Sequence, residues 1–228
     1  MRDLFDRTAG SYDRINSVLS LGSGAWYRSR ALQRAGLRPG ARMLDVAIGT
    51  GLVAREAVRI LGPAGAVIGL DISAGMLAVA RRSLRIPLIQ ARAEALPLGD
   101  ASVDFISMGY ALRHVSDLAL LFAEFRRVLR PGGTILVLEI ARPEGRFGHA
   151  MARAYVGGIV PSLSRLAGAD ARTLMRYYWD TIESCVPPED IMRHLRETGL
   201  EQVMCETDLG AFRAYTARRA PPQAATPR

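Results

Sequence analysis

A largely apolar run that leads into two closely spaced glycines constrains the fold of this chain more than any other feature. Met43–Val46 has the character of a buried strand, and Gly49 and Gly51 precede an amphipathic stretch at 52–61. Glycines at this spacing let the backbone bend sharply and approach a ligand closely, because a Cβ would intrude there. A strand, a glycine turn and a helix in this order predict a βαβ unit.

The same alternation of strand and helix continues along the chain, which predicts a doubly wound, mostly parallel α/β sheet of the Rossmann type. Near the end, Pro187–Asp190 opens a helix that runs to Glu197, and a tight turn at 208–210 joins two last strands into an antiparallel hairpin. The strands are predicted at Arg42–Val46, Ala66–Leu70, Ile86–Gln90, Val103–Met108, Thr134–Ile140, Glu201–Thr207 and Ala211–Ala217, and further helices at 52–61, 74–84 and 117–130.

The length of 228 residues with 49% hydrophobic residues predicts one globular domain, over 1–219. Residues 1–36 form a predicted helical lid, 145–186 a helical insertion over the substrate, and 220–228 a disordered tail. No apolar stretch reaches the ~18 residues of a membrane span, and the N-terminus lacks the pattern of a secretory signal. We therefore expect a cytoplasmic protein.

The formal net charge is +8, and all 30 basic residues are arginine. They are spread along the chain rather than clustered, which favours a solvated surface over a nucleic-acid interface, although a basic excess is also compatible with anionic lipid. Cys185 and Cys205 lack the spacing of a zinc site, and no His, Cys and Asp residues cluster at metal-ligand spacing, so no metal is expected.

Two acidic residues indicate which ligand the glycine turn binds. Asp71 ends the second strand ~20 residues beyond Gly51, where a carboxylate accepts hydrogen bonds from ribose hydroxyls. The segment 49–54 also satisfies the dinucleotide pattern Gly-x-Gly-x-x-Ala, so a nicotinamide cofactor is an alternative. Asp45, directly before the turn, disfavours a pyrophosphate and suits a cationic ammonium or sulfonium.

Together, these motifs resemble the class I S-adenosylmethionine-dependent methyltransferases. More narrowly, the chain resembles the ubiquinone/menaquinone biosynthesis C-methyltransferases over roughly residues 4–217. The superfamily motifs are Asp45–Gly51, Gly69–Ser73, Gly75–Leu77, Ala93–Pro97 and Arg127–Gly133; those of the quinone branch are Phe5-Asp6, Ala9, Tyr12-Asp13, Asn16, Leu19-Ser20, Trp26, Leu112-Arg113, Leu138-Glu139 and Arg176-Tyr177.

The resemblance implies S-adenosylmethionine as the cofactor. It assigns the methionine moiety to Thr50 and the backbone of Gly49 and Gly51, and the ribose to Asp71. The further contacts that it implies are Ile72 beside Asp71, Arg92 and Ala93 at the adenine, Gly109 beneath the sulfonium, and Tyr12 at the carboxylate. The family commonly has aspartate or asparagine where Arg92 stands, and glycine where Ala47 or Ile48 stands.

Methylation of a hydroquinone carbon requires a neighbouring ring hydroxyl to lose its proton, so the site needs a base or a cation that stabilises the phenolate. The family carries arginine–asparagine where Arg113 and His114 stand. Arg113 is assigned to phenolate stabilisation and water positioning. His114 is either a direct base or only a cap of the helix that begins at Ser116–Asp117. Tyr177 is implied to line the acceptor pocket.

The predicted function is C-methylation of a quinol ring. The alternative is a methyltransferase of specialised metabolism acting on oxygen, nitrogen or carbon, since Arg92, Tyr110, Ala111 and His114 depart from the family pattern. A nucleic-acid-binding protein is a remote alternative, because an appended binding domain and a basic run are absent from the sequence. We expect a phenolic or quinol substrate, no nucleic acid, and peripheral association with the inner face of the membrane. The sequence is also compatible with a homodimer.

Overall fold

The computed structural model describes residues 23–140, 186–208 and 212–221 of the chain. The predicted lid is described only from residue 23 onwards, and the insertion at 145–186 only at its last residue. The turn at 209–211 and most of the predicted tail also lie outside the described residues.

The described residues form five α-helices, one 3₁₀ turn and seven strands. The helices are α1 (Gly24–Arg34), α2 (Leu52–Leu61), α3 (Ala74–Ser83), α4 (Leu118–Val128) and α5 (Pro188–Glu197), with the 3₁₀ turn at Leu112–His114. The strands are β1 (Arg42–Val46), β2 (Ala66–Asp71), β3 (Leu88–Gln90), β4 (Val103–Gly109), β5 (Leu129–Ile140), β6 (Leu200–Asp208) and β7 (Phe212–Arg219).

All seven strands belong to one sheet, in the order β3-β2-β1-β4-β5-β7-β6. The first five are parallel, and β7 pairs antiparallel to both β5 and β6. The chain moves outward from β1 through β2 to β3 and then returns to place β4 on the other side of β1. Ligands of open α/β sheets bind at such a reversal, beyond the carboxyl ends of the strands. The predicted sheet with its C-terminal hairpin is confirmed.

Apolar side chains on the two faces of the sheet form two buried clusters. Helices α1, α2 and α3 contribute to one cluster, with Leu32 and Ala57 fully buried. Helices α4 and α5 contribute to the other, with Phe122 and Leu195 fully buried. Because both faces are covered, the central strands are buried along nearly their whole length. A site therefore has to form beyond the strand ends, and in open α/β sheets it forms at the carboxyl ends.

The bounds of some elements differ from the prediction. Helix α4 ends at Val128 rather than at residue 130, and β5 begins at Leu129 rather than at Thr134. Pro131 cannot continue a helix, and Leu129 instead pairs with Val103 ahead of an irregularity in the register. At the edge of the sheet, β3 begins at Leu88 rather than at Ile86.

Candidate active site

A cavity of about 300 Å³ lies at the carboxyl ends of β1, β2 and β4. The described residues that line it come from the turns after these strands, from the start of α3, and from the segments 91–94 and 109–116. They are Ala47, Gly49, Leu70, Asp71, Ile72, Ser73, Met76, Ala91, Arg92, Ala93, Glu94, Met108, Gly109, Tyr110, Ala111, His114, Val115 and Ser116.

The glycine turn after β1 forms one side of the cavity. Gly49 adopts a φ of 57°, and a Cβ built on it would meet no atom within 4 Å, so a side chain here would enter open space. Gly51 also has a positive φ, but a Cβ there would lie 2.4 Å from the Leu84 side chain, on the inner side of the turn. Gly49 is therefore the glycine that leaves room for a ligand, whereas Gly51 is favoured by its φ of 90° and by the nearby Leu84 side chain.

Asp71, at the end of β2, connects this turn to α3. Its carboxylate accepts hydrogen bonds from the amides of Gly49 and Ser73, each at 2.8 Å. Ser73 in turn caps α3, because its hydroxyl accepts from the amide of Met76 at 3.0 Å. A carboxylate offers about four acceptor positions, so two amides do not exhaust the capacity of Asp71 to bind ligand hydroxyls.

Asp45 lies behind the turn rather than on the cavity wall. It is buried in β1 opposite Ser107 of β4, whose hydroxyl donates a hydrogen bond to it. Burial raises the pKa of Asp45 to about 7, although the Ser107 hydroxyl and the Ala54 amide oppose this shift. A positive ligand charge nearby would favour the ionised form of this carboxyl.

The wall formed by β2, α3 and the segment after β3 is mostly apolar. Leu70, Ile72, Met76, Ala91 and Ala93 contribute to it. A flat, weakly polar ring fits such a surface better than a charged group does.

Arg92 and Glu94 add charged groups to this wall. The Arg92 side chain is 65% exposed, and its guanidinium lies 3.6 Å from the carboxylate of Glu94, which is mostly buried. An arginine has no acceptor atom, so Arg92 cannot accept a hydrogen bond from a ligand amine as an aspartate or asparagine could.

The opposite wall is the segment 109–116, which begins at the last residue of β4. A Cβ on Gly109 would lie 2.8 Å from a methyl group of Val53, so only glycine fits at this strand end without a shift. Tyr110 adopts a φ of 61°, which is uncommon for a residue with a side chain. Its amide nevertheless donates to the Leu138 carbonyl at 2.7 Å, which extends the pairing of β4 with β5.

His114 lines the cavity from the 3₁₀ turn. Burial lowers the pKa of its imidazole to about 4, with a further contribution from the positive charge of Arg113, so the ring is neutral at neutral pH. The alternative prediction, that His114 caps the next helix, is wrong. Asp117 is the cap of α4, because its carboxylate accepts from the amide of Leu120 at 2.9 Å.

Arg113 does not line the cavity in the described part of the chain. Its side chain is only 3% exposed and forms an ion pair with Glu139, at 2.6 Å between Nη1 and Oε1. Glu139 is fully buried near the end of β5 and also accepts from the amides of Ile140, at 2.9 Å, and of Arg113, at 3.4 Å. The sequence reasoning placed this guanidinium at the acceptor, whereas the structure places it behind the wall.

The structure thus divides the predicted site residues into three groups. Those on the cavity wall are Gly49, Asp71, Ile72, Arg92, Ala93, Gly109 and His114; those behind it are Asp45, Thr50, Gly51 and Arg113; Tyr12 and Tyr177 lie outside the described residues. The cavity is also lined by residues that were not predicted for the site, among them Ala47, Ser73, Met76, Glu94 and Tyr110. The position of Ser73 and Tyr110 just beyond strand ends is the signal that could have identified them.

Helices of the described residues are all too short or too polar to span a bilayer. Within residues 23–140, 186–208 and 212–221, no three His, Cys, Asp or Glu side chains come close enough together to hold a metal ion.

Comparison with known proteins identifies the family of the chain. The ubiE/COQ5 methyltransferase family matches residues 1–215. The ubiquinone/menaquinone biosynthesis C-methyltransferase UbiE of Hahella chejuensis is 34% identical over 204 residues, which are 86% of this chain and 82% of that protein. The UbiE protein of Shewanella halifaxensis is 33% identical over 207 residues, covering 88% of this chain and 82% of its own.

Solved structures show the same fold at lower identity. A methyltransferase of Thermotoga maritima, described as a possible histamine N-methyltransferase, superposes with a TM-score of 0.68 at 21% identity and covers 95% of this chain and 98% of its own. The family match spans nearly the whole chain, and the superposed structure has the same fold. The chain therefore belongs to the ubiE/COQ5 methyltransferase family, and the predicted class of enzyme, an S-adenosylmethionine-dependent methyltransferase, is confirmed.

Proposed function

We propose that this methyltransferase binds S-adenosylmethionine in the cavity and methylates a ring carbon of a quinol. One observation supports the placement most directly: Asp71 is held by the amides of Gly49 and Ser73 on the wall of the cavity, at the sheet reversal. The quinol is proposed because the curated relatives at 33–34% identity are named as ubiquinone/menaquinone biosynthesis C-methyltransferases.

The described residues fit the cofactor. The space in front of Gly49 admits the methionine moiety, Asp71 can accept from the ribose hydroxyls, and the apolar wall with Ile72 and Ala93 suits the adenine ring. Asp45 supplies a carboxyl behind the turn that a positive ligand charge would keep ionised. S-adenosylmethionine supplies an electrophilic methyl group when it is bound.

Thr50 and Gly51 shape the turn from its inner side in this proposal. Thr50 is 1% exposed, and its carbonyl accepts from Arg55 at 3.1 Å. Arg92 has a different role from the residue that the family carries, because it can only donate hydrogen bonds. We place it at the rim of the adenine site, paired with Glu94.

On the acceptor side, the chain must hold the ring in line with the methyl group and favour loss of a hydroxyl proton. The neutral imidazole of His114 can accept a hydrogen bond from that hydroxyl. With a pKa of about 4 it is a weak base, so we propose that it positions the hydroxyl and that the proton moves onward to water. Arg113 contributes its positive charge to this side of the site from behind the wall. Tyr12 and Tyr177 remain predictions for the cofactor carboxylate and the acceptor pocket.

A quinol with a polyprenyl tail resides in a bilayer, so the enzyme must reach the membrane surface. We propose reversible association with anionic lipid at the inner face, driven by the net charge of +8. Flotation with vesicles of phosphatidylglycerol and phosphatidylcholine at low and high salt tests this. Binding to the anionic vesicles at low salt is expected, and equal absence from both vesicle types would contradict the proposal.

The acceptor is tested in a bacterial strain that lacks its quinone C-methyltransferase. Expression of this chain should convert the accumulated demethylquinone to methylated quinone, read by mass spectrometry of extracted lipids. Asp71→Asn serves as the inactive control. Persistence of demethylquinone, with the protein expressed and binding S-adenosylhomocysteine, would contradict the quinol as acceptor while leaving the cofactor site standing.

A further inference from the structure

The segment 109–116 forms a whole wall of the cavity, and only two of its residues face away from it. Gly109, Tyr110, Ala111, His114, Val115 and Ser116 line the cavity. Leu112 is 1% exposed and packs in the core beneath α4. Arg113 is directed to the buried carboxylate of Glu139. These two side chains hold the segment to the rest of the fold.

The two ends of this wall are held in different ways. At Gly109 and Tyr110 the backbone pairs with Leu138 of β5, so the cofactor end is part of the sheet. The next residues form only a single 3₁₀ turn, with the amides of His114 and Val115 donating to Ala111 and Leu112. A turn this short does not fix its own orientation, because its few hydrogen bonds have poor geometry.

Glu139 adds a polar constraint to the apolar one that the buried Leu112 side chain provides. Its carboxylate accepts from both the side chain and the backbone amide of Arg113, and from the amide of Ile140 on its own strand. It thus joins the end of β5 to the residue directly before His114. Both side chains of the pair are almost completely buried, so the interaction is not weakened by solvent.

We propose that Glu139 is a positioning residue: through Arg113, it fixes the turn that presents His114 to the acceptor. The expected effect on turnover rests on the proposed function, whereas the placement of His114 by Glu139 does not depend on which acceptor is methylated. Loss of the carboxylate charge would take the counter-charge of Glu139 away from the buried guanidinium of Arg113, and a shift of that guanidinium would move the turn with it. The cofactor end would stay in place, because the sheet holds it.

The test compares Glu139→Gln with a matched control, Asp104→Asn. The Asp104 carboxylate at the start of β4 also joins a backbone amide, that of Arg42 at 2.8 Å, to an arginine, Arg130 at 2.7 Å. It lies near the amino end of β4, whereas the cavity lies at the carboxyl end of that strand. Both substitutions therefore remove one carboxylate charge from an arginine–amide pair, but of the two only Glu139 is bonded to the segment 109–116.

The first readout is the NMR spectrum of ¹³C-labelled histidine at pH 7, which needs no substrate. The chain has three histidines, and the His114 resonance is assigned by its loss in His114→Asn. In Glu139→Gln the His114 resonance should shift or broaden while those of His149 and His194 stay in place. In Asp104→Asn all three should be unchanged.

The second readout separates turnover from binding. For Glu139→Gln we expect kcat to fall on the order of 10²-fold, as a small misplacement near the reacting atoms produces, with the Kd for S-adenosylhomocysteine within about threefold of wild type. If Glu139→Gln does not fold, Arg113→Lys, which keeps the charge but not the planar fork, should give the same His114 shift.

An unchanged His114 resonance in the folded variants would overturn the proposal, whatever happens to kcat. A moved resonance with unchanged kcat would also overturn it. If instead the proposed function is wrong, the wild-type enzyme will leave the quinol unmethylated. The shift of the His114 resonance and the affinities for S-adenosylhomocysteine would still decide the role of Glu139.

Discussion

Replacing Asp71 with asparagine should remove most of the recognition of the ribose. The carboxylate accepts from two amides at 2.8 Å and is proposed to accept from ribose hydroxyls as well. Asparagine keeps the size of the side chain but has only one acceptor atom and no charge. Hydrogen bonds to charged groups contribute about 1.5–3 kcal/mol each, so the loss in binding free energy should be about 2–4 kcal/mol.

Titration calorimetry with S-adenosylhomocysteine measures this loss as a weakening of roughly 30- to 700-fold in Kd. A 2′,3′-dideoxy analogue of the ligand serves as the control, because it lacks the hydroxyls that Asp71 is proposed to bind. Wild type should discriminate strongly between the two ligands, and Asp71→Asn should hardly discriminate. Equal discrimination by both proteins would refute the assignment of Asp71 to the ribose, even if overall affinity fell.

Three further predictions concern the turn and the buried titratable groups. Ala47 has a φ of 54°, which is strained for a residue with a side chain. Ala47→Gly should therefore raise the free energy of unfolding, measured by urea denaturation, by about 0.5–1 kcal/mol. A free energy of unfolding below that of wild type would contradict this strain. The pKa of His114 is lowered from 6.5 to about 4, so on acidification the unfolded chain takes up this proton before the folded protein does. Between pH 7 and pH 5, wild type should therefore lose about 2 kcal/mol of stability that His114→Asn does not lose. The methylation rate of wild type should not fall on acidification until the pH is below 5.5. Burial raises the pKa of Asp45 to about 7, so the folded protein loses stability as the pH rises and this carboxyl ionises. Relative to wild type, Asp45→Asn should therefore gain about 3 kcal/mol of stability between pH 5 and pH 8. A difference that stays constant over this range would contradict the raised pKa.

The sequence predicted the sheet well because each element there has a local signal. The bounds of β1 and α2 follow from an apolar strand, a glycine turn and an amphipathic stretch, and the structure has them at the predicted residues. The start of β5 has no such signal. The prediction continued the helix to residue 130 and began the strand at Thr134, and only the pairing of Leu129 with Val103 makes the segment between them a strand.

At the site, residue type and spacing predicted which segments meet but not which way side chains face. Gly49 and Asp71 were expected at the ligand, and both line the cavity. Arg113 was expected at the acceptor, but a buried carboxylate 26 residues further along the chain binds its guanidinium. Two residues so far apart in sequence give no local pattern, since it is the pairing of β4 with β5 that brings them together.

The most direct test of the central claim is to follow the methyl group itself. The purified enzyme is incubated with S-adenosylmethionine carrying a ¹³C-labelled methyl and with a demethylated naphthoquinol, and the product is examined by ¹³C NMR. The account predicts a labelled methyl on a ring carbon, and none with Asp71→Asn. A labelled methyl on a quinol oxygen, or none on the quinol while the wild-type protein binds S-adenosylhomocysteine, would contradict it.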